Sequence, residues 1–280
     1  MIAKNIYISH TNCVSPLGFD TESNVLAIAG GKTGISQCTD GSLLPEPFYA
    51  GVIDTVALDV AFAAISNENY TRLEKMLLLA LHPVMKQSGI VPDGRTALML
   101  STTKGNITSL KTGENPADGV YLQGLAQHVA DFFGFKTKPI VISNACVSGI
   151  MAVSVAKRLI QAGRYDNVFV VAGDEVSEFV LSGFSSFQAM SDRPCRPYSA
   201  NRNGVTLGEA AAAALITSGN KDAKARIAGD GSVNDANHIS GPSRTGEGLV
   251  RSIESALKEA GITAGKIDYI SAHGTATPFN

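Results

Sequence analysis

One cysteine lies where the sequence pattern could make its thiol a nucleophile. Residues 139–163 open with an apolar, β-branched run at 140–142, which favours a short buried strand. Small residues follow, then Cys146, and from Val147 the apolar spacing becomes helical and ends at Gly163. At such a strand-to-helix corner, unpaired amides and the positive end of the helix dipole favour a thiolate. The competing interpretation is plain packing, because free cysteines are usually small core residues.

The helix after Cys146 has a distinctive charge pattern. Its first turns contain no charged residue, which predicts burial on nearly every side. Two faces are expected, an apolar one with Ile150, Val153 and Ile160 and a polar one with Lys157, Arg158 and Gln161.

A second stretch ends in a histidine that could donate a proton or a hydrogen bond. Residues 269–278 read YISAHGTATP, a strand-like run that leads to His273. Thr275 and Thr277 follow it in a setting that also suits turn capping by hydroxyl groups. This second stretch strengthens the catalytic interpretation of Cys146 over plain packing.

The two motifs, in this order, resemble those of a known family. NACVSG around Cys146 and AHGTATP around His273 are similar to the β-ketoacyl-[acyl-carrier-protein] synthases, two-histidine condensing enzymes with a thiolase-like fold. The opening YISHTNCVSPLG with GGKTGI, and the middle run RPYSANRNGVTLGEAAAAALI, resemble the same family, so the resemblance covers almost the whole chain. It implies a layered α/β/α fold.

The chain is expected to divide into two halves. The polar, turn-forming run SGNKDAK at 218–224 is the best internal boundary, and the alternation of strands and helices restarts after it. With the resemblance, this predicts a complete N-terminal thiolase-like half over 1–222, which holds Cys146. Residues 223–280 would begin a C-terminal half that is truncated.

The resemblance also implies a reaction and the residues that perform it. The reaction is a decarboxylating Claisen condensation of an acyl thioester with malonyl-acyl carrier protein, giving 3-oxoacyl-acyl carrier protein. Cys146 would accept the acyl group, its own amide would contribute to an oxyanion hole, and His273 would stabilise the enolate. Thr275, Thr277 and Ser240 would bind the phosphopantetheine arm of the carrier. No free cofactor and no metal are expected.

The sequence departs from the family pattern in two ways. Val147 follows the cysteine where a small polar residue is usual, and Asn144 stands where threonine is common. The family also has a catalytic lysine, a second histidine in a Gly-His motif and a glycine-rich phenylalanine loop. None of the other histidines, His10, His82, His128 and His238, lies in a Gly-His-x-x-Gly context. We therefore expect a C-terminally truncated chain that is inactive in condensation by itself.

Two rival functions remain open at this point. The chain could be a non-catalytic, synthase-like partner subunit of an active ketosynthase, which the lack of a second catalytic histidine favours and the retained Cys146 opposes. It could also be a thiolase or a Cys-His-Asn condensing enzyme, which the HGTATP motif opposes.

Composition limits the partners and the location. The formal net charge of −2, without a basic patch, gives no indication of nucleic-acid binding. The four cysteines are scattered without metal-ligand spacing, and no apolar run approaches the ~20 residues of a membrane span. We expect a soluble, cytoplasmic protein that does not bind membranes. The resemblance implies acyl carrier protein as a partner, and a homodimer or a heterodimer with another ketosynthase-like chain.

The remaining elements must position the two stretches. Residues 32–60, rich in glycine, proline and aspartate, are expected to form a surface excursion. Residues 209–217 pose a conflict, because their alanines favour a helix while the family pattern favours a strand, which we choose. The other expected strands are 2–10, 95–101, 166–172, 225–233 and 267–272. The other expected helices are 21–29 with Thr21 as N-cap, 70–89, 120–133 and 244–261, the last with Leu249, Ile253, Ala256, Leu257 and Ala260 facing inward.

Overall fold

The computed structural model describes residues 4–112, 118–234, 243 and 245–278. Its strands within these ranges are β1 (Tyr7–Val14), β2 (Ser36–Cys38), β3 (Phe48–Gly51), β4 (Thr96–Ser101), β5 (Ile140–Ile142), β6 (Asn167–Asp174), β7 (Leu207–Gly208), β8 (Ala210–Thr217) and β9 (Ala225–Arg226). The helices are α1 (Thr21–Ala29), α2 (Thr55–Ala63), α3 (Arg72–Ser88), α4 (Leu122–Phe132), α5 (Ser148–Gln161), α6 (Glu178–Ser186) and α7 (Glu247–Ala260).

A mixed, six-stranded sheet forms the centre of the fold, with the strand order β5-β4-β6-β8-β1-β9. β4 runs parallel to β5 and β6, whereas β8 is antiparallel to β6 and β1. All six residues of β4 are buried, and they alternate between two cores. Leu98 and Leu100 pack with α3 and α4, while Ala97 and Met99 pack with α5 on the other face. The sheet therefore lies between helical layers, and the expected layered α/β fold is confirmed.

The strongly patterned elements agree with the structure. β4, β6 and β8 occur within a few residues of the expected positions, and α3 spans most of 70–89 and continues through Pro83. Residues Ala210–Thr217 are a strand despite their helical propensity, because β6 and β1 pair with both of their edges. Two-sided pairing of the backbone outweighs the modest helix preference of alanine.

Several expectations for the N-terminal region are wrong. The first strand is Tyr7–Val14, so the expected strand 2–10 overlaps it only at 7–10; residues 4–6 are not in a strand, and residues 2–3 lie outside the described residues. The N-cap of α1 is Asp20, whose carboxylate accepts a hydrogen bond from the Ser23 amide, and not Thr21. Residues 32–60 are more than a surface excursion, because they include β2, β3 and the start of α2, and they bury Phe48, Ala50, Ile53 and Leu58.

The second half also differs from expectation. Only Ala225–Arg226 of the expected strand 225–233 is a strand, and 267–272 forms none. α7 contains no fully buried residue: Leu249 is 68% and Ile253 50% exposed, whereas Ala256, Leu257 and Ala260 are half-buried, so the expected inward face holds only for the second half of the helix. Amphipathic spacing shows that a helix has an apolar face, and it does not show what covers that face. Within the described residues, no strand lies against it.

A buried ion cluster joins α5 to this second half. Lys157, which shares a polar helical face with Arg158 and Gln161, is only 1% exposed. Its Nζ lies 2.5 Å from Glu259 Oε1 of α7, and 2.6 Å from Asp230 Oδ1 in an ion-pair contact without hydrogen-bond geometry. Burial works to raise the pKa of Asp230, but the neighbouring cations of Lys157 and Arg158 outweigh it and lower that pKa. The partners lie 73 (230 − 157) and 102 residues from Lys157 along the chain, which is why local pattern missed them.

Removing the ammonium group should therefore destabilise the fold. We expect Lys157→Met to lower the free energy of unfolding by about 3 kcal/mol, because it leaves the mostly buried carboxylate of Asp230 short of a partner. Arg158→Met is the matched control, since Arg158 is 60% exposed although it lies 2.6 Å from the same carboxylate, and exposed pairs contribute below about 1 kcal/mol.

Denaturant unfolding followed by circular dichroism measures both changes. An equal loss of unfolding free energy in Lys157→Met and Arg158→Met would contradict the special role of the buried ammonium group. Because the folded pKa of Asp230 lies below its ordinary 3.8, its contribution is fully present above pH 3.8 and is lost as the pH falls through the folded value.

Candidate active site

Cys146 lies in a tight corner between β5 and α5. β5 ends at Ile142 and α5 begins at Ser148, as the spacing of apolar residues predicted. The Ser148 hydroxyl accepts a hydrogen bond from the Asn144 amide (2.7 Å) and donates one to the Ala145 carbonyl (2.6 Å). These bonds hold Ala145 at φ 47, a left-handed conformation that is costly for a residue with a side chain. The Ser148 side chain thus fixes the backbone directly before Cys146.

The start of α5 is open to a ligand. Cys146 is exposed, and the N-cap residue Val147 makes no side-chain capping bond, so the first amides of the helix lack a side-chain partner. Ile150 is 71% exposed, which makes the expected burial of α5 on nearly every side wrong. Only the face with Ala152, Ala156 and Ile160 packs against the sheet. A helix terminus of this kind can stabilise a thiolate or a bound oxyanion.

The other thiols are less accessible. Cys13, Cys38 and Cys195 are half-buried, whereas Cys146 is exposed. Burial also raises the pKa of Cys38, which lowers its thiolate fraction near neutral pH. Cys146 is therefore the thiol best placed to react with a macromolecular substrate.

His273 lies in a turn instead of at the end of a strand. The imidazole is exposed, and the hydroxyl oxygens of Thr275 and Thr277 lie 3.0 Å apart. Within the described residues, no hydrogen bond joins Cys146 to His273, and the convergence of these two side chains stays a prediction. Ser240, the third residue expected to bind phosphopantetheine, lies outside the described residues.

The other described histidines have structural roles. The Nδ1 atom of His128 lies 2.8 Å from the buried Glu74 carboxylate, which also bonds the N-terminus of α3. Burial lowers the pKa of His82, as expected for a histidine that packs in the fold. His10 pairs with the neighbouring Ser9 hydroxyl.

A cavity of about 680 Å³ opens between α6 and the 3₁₀ helix Ile107–Thr112, two elements that follow the carboxyl-terminal edges of β6 and β4. Ligand sites commonly lie outside the carboxyl ends of parallel strands, and Ser101, Ile142 and Ala172 are register neighbours at this edge. The residues that line the cavity are Ile107, Thr108, Leu110, Ser177, Glu178, Phe179, Ser182, Gly183 and Ser186.

A polar pair next to this cavity was not predicted. The Thr108 hydroxyl donates to Glu175 Oε1 at 2.5 Å, which ties the 3₁₀ helix Ile107–Thr112 to the end of β6. Burial raises the pKa of Glu175, and the hydrogen bond from Thr108 opposes it only in part. The Asp174 carboxylate accepts bonds from the Thr103 amide (2.9 Å) and from the hydroxyls of Thr102 and Thr103 (2.8 Å each). In the sequence, the only indication of this polar pair was that Asp174 and Glu175 follow the strand expected at 166–172.

The described part of the chain also bears on metal binding and membrane insertion. It contains no cluster of three or more His, Cys, Asp or Glu residues that could hold a metal ion. None of its helices combines the length and the apolar content needed to cross a bilayer.

Comparison with known proteins identifies related sequences along the whole chain. The family model for the beta-ketoacyl synthase N-terminal domain matches residues 3–222, and that for the C-terminal domain matches 224–280. The 3-oxoacyl-[acyl-carrier-protein] synthase 2 of Rhizobium meliloti (strain 1021) is 39% identical over 152 residues, which cover 49% of this chain and 36% of that protein. The protein of the same name from Staphylococcus aureus (strain MRSA252) is 34% identical over 306 residues, which cover 98% of this chain and 73% of that protein.

Solved structures show the same fold. A ketosynthase (ApeO) in complex with its chain length factor (ApeC) from Xenorhabdus doucetiae superposes with a TM-score of 0.84 at 25% identity, covering 99% of this chain and 73% of that one. A beta-ketoacyl synthase from Burkholderia phymatum STM815 gives a TM-score of 0.83 at 23% identity, covering 98% and 74%.

Proposed function

Because this chain belongs to the β-ketoacyl synthase family, we propose that it works in a decarboxylating condensation in which Cys146 accepts the acyl group. The substrates are an acyl thioester and malonyl-acyl carrier protein, and the product is 3-oxoacyl-acyl carrier protein. The observation that best supports this is the exposed Cys146 thiol at the uncapped start of α5.

The first step transfers the acyl group. The Cys146 thiolate attacks the thioester carbonyl, the bond to the carrier sulfur breaks, and the carrier thiolate leaves and takes up a proton. Sulfur replaces sulfur, so the exchange has little thermodynamic cost, and the Cys146 amide can donate to the oxyanion that forms.

The second step uses malonyl thioester. It loses carbon dioxide, and the electron pair of the broken carbon–carbon bond forms an enolate whose oxygen His273 stabilises by hydrogen bonding. The enolate carbon attacks the acyl carbonyl, and Cys146 Sγ leaves as a thiolate. Thr275, Thr277 and Ser240 bind the phosphopantetheine arm of the carrier, so no separate cofactor is required.

A dimeric assembly accompanies this function. β5 is an edge strand of the six-stranded sheet, and an edge strand can pair with a strand of another chain. The Xenorhabdus relative is a ketosynthase in complex with a chain length factor, which supports either a homodimer or a heterodimer with a ketosynthase-like chain. A non-catalytic partner role is the alternative, and the accessible Cys146 disfavours it.

The cavity beside α6 is the proposed acyl pocket, and this gives a test. A side chain added at Gly183 would meet no atom within 4 Å, so Gly183→Leu should fill the cavity without disturbing the backbone. We expect loading of Cys146 with long acyl chains to fall about tenfold, since each excluded methylene forfeits about 0.8 kcal/mol. Short acyl chains should load as before.

Mass spectrometry of protein incubated with acyl carrier thioesters of increasing length measures this profile. Ser185→Leu is the matched control, because Ser185 is exposed on the same helix and does not line the cavity. An unchanged profile in Gly183→Leu would exclude this cavity as the acyl pocket, and absence of acyl transfer in the unmodified protein would overturn the proposed function.

A further inference from the structure

The backbone after His273 turns sharply. Gly274 has φ 55 and Ala276 has φ 64, so two of the three residues after the histidine are left-handed. Ala276 is fully buried. Left-handed backbone at a residue with a side chain persists only where surrounding contacts impose it. The contacts around this turn therefore determine where the imidazole of His273 lies.

Arg202 makes those contacts on the C-terminal side of the turn. Its Nε donates to the Thr277 carbonyl and its Nη2 to the Pro278 carbonyl, both at 2.9 Å. Its Nη1 donates to the Ser199 carbonyl at 3.0 Å, which connects the turn to the loop 196–202. Within the described residues, Arg202 forms no ion pair. Its planar fork of donors is thus used on three neutral carbonyl oxygens, a geometry that lysine cannot reproduce.

Tyr198 adjoins the same turn at Gly274. A side-chain carbon added at Gly274 would lie 2.5 Å from the Tyr198 hydroxyl oxygen, so the backbone directly after His273 lies against the tyrosine ring. Tyr198 is exposed, and its own backbone is also left-handed, with φ 64. The loop 196–202 therefore contacts the turn on both sides of Ala276.

We infer that Arg202, together with Tyr198, is a positioning residue for His273. The guanidinium fixes the carbonyl groups four and five residues after the imidazole, and the ring limits the backbone next to it. The catalytic meaning of this placement rests on the proposed function, because only there does the imidazole donate to the enolate. The placement itself does not depend on that function.

The test compares Arg202→Lys and Arg202→Gln with the unmodified protein. Both variants should exchange the amide hydrogens of residues 274–277 about tenfold faster, because the clamp that suppresses local opening is lost. His273 should also change its rate of reaction with diethyl pyrocarbonate, while His10, His82 and His128 keep theirs. Arg193→Lys is the matched control, since the Arg193 guanidinium lies in the same loop region but contacts the Asn201 carbonyl (3.4 Å) and the Asp192 carboxylate (3.8 Å) instead of the His273 turn.

The outcomes separate the possible roles. Acyl loading of Cys146 should stay within about twofold in both variants, because Arg202 contacts the histidine turn and not the cysteine corner. Unchanged exchange and unchanged His273 labelling in Arg202→Lys would overturn the inference. Parallel changes at every histidine, with loss of Cys146 loading, would also overturn it, because they would indicate a general role in folding. An unmodified protein that loads no acyl group would refute the proposed function and leave the exchange result valid.

Discussion

Replacing Cys146 with alanine is expected to abolish transfer of an acyl group from a carrier thioester to the protein. The loss should exceed ~10³-fold, because the thiolate forms the covalent bond itself and no other group in the corner can replace it. Ser148, whose hydroxyl lies two residues after Cys146 in the chain, already donates to the Ala145 carbonyl and holds the turn. The fold should be unaffected, since Cys146 is exposed.

Incorporation of a labelled acyl group measures this loss. Cys13→Ala is the matched control, because Cys13 is half-buried in β1 and is expected to take no acyl group. Equal incorporation in Cys146→Ala and in the unmodified protein would show that another residue accepts the acyl group.

A second large effect concerns the polypeptide of 280 residues made by itself. We expect it to accept an acyl group on Cys146 and to release no measurable 3-oxoacyl product. Condensation needs the thioester oxyanion and the enolate oxygen to be stabilised together, and each missing donor commonly costs ~10²–10³ in rate. Of the residues that the family uses, the described site contains one histidine and the amide of Cys146, while His10, His82 and His128 have other partners or are packed in the fold.

Carrier-protein condensation with labelled malonyl thioester gives the measurement. Cys146→Ala serves as the blank, and release of free carbon dioxide is recorded in parallel to separate decarboxylation from condensation. Product formed at the rate of a related 3-oxoacyl-[acyl-carrier-protein] synthase, and lost in Cys146→Ala, would show that His273 and the Cys146 amide suffice.

Sequence patterns predicted the sheet and the Cys146 corner because these depend on local order. The apolar run of β4, the β-branched run of β5 and the helical spacing of α5 each specify their own element. β8 was the informative exception, since alanines at 210–214 favour a helix and only pairing with β6 and β1 makes them a strand. The family pattern supplied that non-local information.

The remaining features depend on contacts between distant residues. Lys157 shares a polar helical face with Arg158 and Gln161 in the sequence, and nothing in that spacing indicates its ion pairs with Asp230 and Glu259. α7 looked like a core helix, yet none of its residues is buried in the described part of the chain. Arg202 and Tyr198 belong to a run that was recognised only as family-like. Their contacts with the His273 turn, about 75 residues away, could not be read from spacing.

The position of the acyl group shows directly whether Cys146 is the acyl acceptor. Protein exposed briefly to an acyl-phosphopantetheinyl carrier is digested, and tandem mass spectrometry locates the adduct on its peptides. We expect one acyl group per chain, on Cys146. This adduct should be absent when iodoacetamide has first alkylated the Cys146 thiol. An adduct on Cys13, Cys38 or Cys195, or a folded protein that takes up no acyl group, would contradict this expectation.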